Sequence, residues 1–215
     1  AATVTARIKI LNSELEIELP VLYKWTERVE GERIRPIAIV PEVTASVESG
    51  VMLFKNKEQK KVKLMLKAQK DSIQGNIKVR LPEGWKSKPE QFQYSFAQKG
   101  DHRLIELVVA PGDEFIEGTL SFELEGKNSS VVRTIQEIDY SHISAQTMVS
   151  ELKVKMVHMD LKIAGRKIGY IMGAGDDVPE GLKQMGYDVS LLSVDLLESE
   201  DLNQYNAVIA GIRAY

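Results

Sequence analysis

"KKVKLMLKAQKDSIQGNIKVRL", Lys60–Leu81, places Val62, Leu64 and Leu66 at every second position, and repeats the pattern with Ile77, Val79 and Leu81. Successive side chains of a strand point to opposite faces, so this period of two predicts two strands, each with one buried face. The same alternation recurs downstream at Phe92, Tyr94 and Phe96, at Ile105, Leu107 and Val109, and at Leu120, Phe122 and Leu124. Turn residues separate the runs: Pro82-Glu83-Gly84, Lys99-Gly100-Asp101, Pro111-Gly112-Asp113 and Gly126-Lys127-Asn128. Short strands at this spacing, with no amphipathic helix between them, predict an all-β immunoglobulin-like sandwich over residues 43–140.

On the N-terminal side, "TARIKIL" and "ELEIELPVL" alternate apolar and charged residues around Asn12-Ser13. Residues 1–24 read as a β-hairpin remnant of a preceding β-domain, because an isolated hairpin is marginal in water. Residues 25–42 are charged and interrupted by Pro36 and Pro41, which predicts an extended connector. Residues 141–165 form a second connector, in which "LKVKMVHMDL" alternates as an added strand would.

From Arg166 the pattern changes. "KIGYIMGAG", "DVPEGLKQMG", "YDVSLLS", "DLLESEDLNQY" and "NAVIAGI" read as strand, short helix, strand, helix or turn, and strand. The expectation for residues 166–215 is a truncated α/β segment, flavodoxin-like, with three parallel strands. The fold class expected of the whole chain is therefore mixed, a β-sandwich plus an α/β segment. The apolar run Ala207–Ile212 has no helix after it to cover it, so the segment is expected either to pair with a second copy as a homodimer or to rest against the sandwich.

Composition limits the function. The 215 residues are 43% hydrophobic and 27% charged, with a net charge of −3 and no cysteine. Disulfides, thiolate metal sites and a Cys nucleophile are excluded within these residues. No basic balance or polybasic run points to nucleic acid or to an acidic membrane surface. No apolar run is long enough for a transmembrane helix. The first residue is Ala1, and strand-like sequence begins at once, so the chain reads as a piece of something longer.

Few residues are candidates for chemistry. Gly173 and Gly175 begin a G-x-G-x-x-G pattern, but Val178 stands where the third glycine belongs. Asp176 and Asp177 fall at the helix start, where carboxylates cap free N–H groups and repel a phosphate. They could also face a ligand crevice at the carboxyl end of the sheet. Arg213 follows the last strand and is the candidate anion-binding side chain. Trp85, in "LPEGWKSKP", is either a carbohydrate-stacking platform or a packing residue, and Trp25 an anchor for the connector. His102, His142 and His158 are scattered without ligand spacing, so no metal site and no catalytic residue is assigned.

Four stretches resemble large LmbE-like (PIG-L family) de-N-acetylases of the kind common in Bacteroidetes. They are "PVLYKWTERVEGERIRPIAIVPEV" (20–43), "LPEGWKSKP" (81–89), "IDYSHISAQT" (138–147) and "KIGYIMGAGDDVPEGLKQMGYDVSLL…AVIAGIRAY" (167–215). In that family a zinc hydrolase domain precedes accessory β-domains and a segment similar to class I glutamine amidotransferases. The resemblance implies a non-catalytic accessory region of a zinc-dependent N-deacetylase, in the periplasm or outside the cell. It also implies the missing catalytic domain as partner and a carbohydrate-derived substrate. The alternatives left open are an amidotransferase-like enzyme completed after Tyr215 and a plain surface scaffold. The family's H-P-D-D-type zinc motif and the amidotransferase cysteine are both missing here. Zinc is thus implied only for the catalytic domain, and no cofactor for these residues.

Overall fold

The computed structural model describes residues 2–11, 13–29, 31–114, 117–126, 129–140, 143, 145–197 and 201–214. Strands run β1 Thr3–Ile10, β2 Ser13–Pro20, β3 Leu22–Glu27, β4 Gly31–Pro36, β5 Val43–Val47, β6 Val51–Lys55, β7 Lys60–Ala68, β8 Ile73–Arg80, β9 Lys86–Lys88 and β10 Gln91–Phe96. They continue with β11 His102–Ala110, β12 Glu117–Glu125, β13 Ser130–Val131, β14 Arg133–Ile138, β15 Gln146–Glu151, β16 Lys153–Met159 and β17 Lys167–Ile171. Helix α1, Val178–Met185, precedes β18 Asp188–Leu192 and β19 Ala207–Ala210.

Two sheets form the body. One has the order β10-β8-β12-β16-β6, with β13 beside β12, and the other β15-β14-β5-β7-β11-β9. The alternating residues read from the sequence fill the space between them. Leu64, Leu66 and Leu107 face Ile77, Leu120 and Phe122, all fully buried. Both segments expected to be connectors add strands. β3 and β4 pair as a hairpin that starts in the expected 1–24 remnant and fills much of the expected 25–42 connector, with Gly31 at φ +76° where β4 begins. Within 141–165, β15 pairs with β14, and β16 lies between β12 and β6 because Val154 and Met156 alternate into the core. The β1–β2 ladder puts Val4, Ala6, Ile8, Leu15, Ile17 and Leu19 on one face and the Arg7–Glu16 ion pair on the other.

The expectation of a mixed class with a flavodoxin-like α/β segment is corrected: the chain is a β-rich protein with a single α-helix among the described residues. After Arg166 there are three short strands in the order β18-β17-β19, with α1 and two 3-10 turns, Val194–Leu196 and Leu202–Gln204. A doubly wound layer needs helices on both faces, and among the described residues α1 is the one α-helix. α1 is itself only eight residues long and carries Gly181 in its interior. No helix of the described chain is long and apolar enough to cross a membrane.

α1 is held on the sandwich by hydrogen bonds of the Gln184 and Lys60 side chains. β6 is an edge strand, and its outer Leu53 N–H donates to Gln184 Oε1 at 2.9 Å, while Gln184 Nε2 donates to the Val51 carbonyl at 3.2 Å. The amide thus satisfies the donor and acceptor that a neighbouring strand would take. Lys60 Nζ donates to the Gln184 carbonyl at 3.2 Å, placing a cation at the negative end of the helix. Burial lowers the Lys60 pKa from the usual lysine range, partly offset by Glu58 and Glu180. Replacing Gln184 by alanine is expected to speed amide exchange at Leu53 by about tenfold, since each lost hydrogen bond is worth about 1 kcal/mol. Unchanged protection at Leu53 would show that the amide does not close the edge.

Candidate functional site

The carboxyl end of the three-stranded sheet brings together most of the residues singled out after Arg166. Strand β17 ends at Ile171, and the chain turns through Gly173 and Gly175 before α1. The turn crosses the one that follows β19: Ala174 N–H donates to the Ile212 carbonyl at 2.8 Å and Gly211 N–H to the Ile171 carbonyl at 2.9 Å. A Cβ on Gly173 would lie 2.0 Å from the Ile212 oxygen. Gly175 has φ +79°, a conformation that favours glycine. The two glycines therefore serve a crossing of two backbone turns.

Asp176 is built into this crossing. Its Oδ1 accepts from the Tyr170 hydroxyl at 2.7 Å and from Val178 N–H at 3.3 Å. Its Oδ2 is buried without a hydrogen-bond partner, against Gly211. Asp177 occupies the helix N-cap position, yet its side chain caps nothing and is exposed. Of the two carboxylates read as caps, Asp176 is the one that accepts a helix N–H. Arg213 is exposed at φ +59° in the turn after β19.

The hydrogen bond to Asp176, together with burial, pushes the Tyr170 pKa up to about 12. The unfolded value is near 10, so the bond stabilises the fold fully below pH 10, and this contribution is lost as pH rises through 12. In an ultraviolet titration one tyrosine is expected to ionise after the others, and Tyr170→Phe to remove that last step. A titration unchanged by the substitution would rule out the Tyr170–Asp176 bond.

Trp85 is not a sugar platform. It is 7% exposed, with its ring edge-on to Phe54 at 4.8 Å and to His158 at 6.2 Å. Its indole N–H is buried without a partner, so the side chain acts as core and presents no face to solvent. Trp25 stacks on Tyr23 at 5.5 Å in the β3–β4 hairpin, which reaches the sandwich through Arg33–Asp139 at 2.9 Å and the Arg35–Glu137 pair. His102 is exposed on β11, and His142 lies outside the described residues. His158 is buried, with Nδ1 2.9 Å from the Glu114 carbonyl.

The larger cavities lie away from Asp176, Asp177 and Arg213. One of about 620 Å³ sits where α1 meets the sandwich, bordered by Met52, Lys60, Glu180 and Gln184. Another, of about 640 Å³, runs between the chain after β4 and the outer face of β5 and β7. Sequence reasoning missed this second groove. Its polar members, Arg35, Thr44, Lys67 and His102, come from four strands that only the sheet order makes neighbours. Among the described residues, no three His, Asp or Glu side chains are grouped to hold a metal ion. In comparisons with known proteins, no family model and no curated protein matches this chain.

Proposed function

We propose that this chain is a non-catalytic accessory region of an LmbE-like zinc-dependent N-deacetylase, acting in the periplasm or outside the cell. Its task is to hold a catalytic domain in place relative to a carbohydrate-derived substrate. The observation that carries this reading is the clasp between α1 and the sandwich. Gln184 and Lys60 tie the C-terminal unit to β6, so the two units form a stiff spacer rather than beads on a flexible linker. In this reading the zinc chemistry belongs to the catalytic partner alone. The same reading includes pairing of two copies along β19, an edge strand with Val208 exposed and Ile212 70% exposed just beyond it.

The test is acetate release from N-acetylglucosamine oligosaccharides by the isolated chain, with and without added zinc. No release is expected in either case. The coding sequence upstream is expected to encode an H-P-D-D-type motif. Zinc-dependent release by these residues alone, or an upstream sequence without such a motif, would overturn the proposal.

A further inference from the structure

The groove over β5 and β7 is lined by Arg35, Lys67 and Lys99 against a single carboxylate, Glu137. Several lysines elsewhere on the sandwich are neutralised: Lys57, Lys63, Lys70, Lys153 and Lys155 each meet a carboxylate within 3.0 Å. Lys67 and Lys99, both lining the groove, form no ion pair among the described residues. The nearby carboxylates are engaged elsewhere. Glu42 pairs with Lys70, Asp71 accepts the Lys99 backbone N–H at 2.6 Å, and Glu137 pairs with Arg35. The groove therefore keeps a positive surplus on a chain whose net charge is −3.

The sheet register explains how this surplus is assembled. Lys67 lies directly opposite His102 on β11 and opposite Thr44 on β5. One step along the same face, Met65 lies opposite Ser46. Around the cations stand neutral hydrogen-bonding groups. Thr44 is 4% exposed and accepts from Gln69 Nε2 at 3.0 Å, and Arg35 donates to Thr147 Oγ1 at 3.3 Å. Thr134 and Ser46 complete a lining of hydroxyls and one amide over the apolar Met65 and Ile135.

We propose that this groove binds a carboxylate-bearing carbohydrate, with the uronate carboxylate at Lys67 and Lys99 and the ring hydroxyls at the threonines and Gln69. A polyanion such as nucleic acid is a poor fit, because tracking a phosphate backbone takes many cations and the groove has two that are unpaired. A small free anion would leave the hydroxyl lining unused. A volume of about 640 Å³ is the size of a site for a small ligand such as a disaccharide. The inference stands on the groove alone and does not depend on the accessory role proposed above.

The experiment is calorimetric titration of the whole chain with digalacturonate, with the neutral galactose disaccharide and with sodium acetate. Digalacturonate is expected to bind, and the other two are not. Lys67→Gln and Lys99→Gln, both at exposed positions outside the core, are each expected to weaken binding about fivefold, the scale of an exposed charge contact. Added salt should weaken it as well. Equal binding of the neutral disaccharide would overturn the charge reading, and equal binding of acetate the carbohydrate reading. No binding of digalacturonate, or binding unchanged in both variants, would overturn the site.

Discussion

Phe122→Ala is expected to destabilise the protein by about 3–5 kcal/mol. Phe122 is fully buried on β12, a central strand between β8 and β16, and pairs with Val79 across the ladder. Removing its ring leaves a cavity walled by strands held in register on both sides, and such walls collapse little. The lost transfer energy and the cavity therefore add. Urea unfolding followed by far-ultraviolet circular dichroism reads the change. Leu104→Ala is the control, because Leu104 is 48% exposed and should cost under about 0.5 kcal/mol. Similar losses for the two substitutions would mean that the space between the sheets is not the folding core.

Gly173→Val is expected to detach β19 from the C-terminal sheet and leave the sandwich folded. The new Cβ would stand 2.0 Å from the Ile212 carbonyl oxygen and 2.7 Å from its carbon, both backbone atoms that cannot rotate away. One of the two turns has to move, breaking the bonds from Ala174 to Ile212 and from Gly211 to Ile171. Overpacking of this severity costs at least about 3 kcal/mol, a large fraction of what a three-stranded unit can hold. Hydrogen exchange would show loss of protection in β17 and β19 with Leu64 and Leu107 unaffected. Gly175→Ala is the comparison. Nothing lies within 4 Å of its Cβ, and the left-handed φ alone should cost about 1 kcal/mol. Full protection of β19 in the Gly173 variant would show that the crossing of the two turns is not tight.

The period-two runs made the sandwich legible from sequence. Val62, Leu64, Leu66, Ile77 and Val79 are buried where alternation placed them, because a strand's side-chain period is independent of what it packs against. The β3–β4 hairpin was hidden by Pro36, which reads as a breaker yet sits at the end of an edge strand, where a missing N–H is tolerated. The class of the last 50 residues was misread because alternating strand and helix signals carry no information on how many helices form.

The sequence by itself determined the strands of the sandwich that alternate with period two, and which of their faces are buried. These are local properties, set by side-chain period. Tertiary structure decided the rest. It buried Trp85 between Phe54 and His158, closed the β6 edge with Gln184 from over 130 residues away, and gathered Arg35, Lys67, Lys99 and His102 into one groove. Each of these joins residues far apart in the chain through the packing of separate strands and helix. Strand order follows from the packing of whole faces, which no single stretch of sequence encodes.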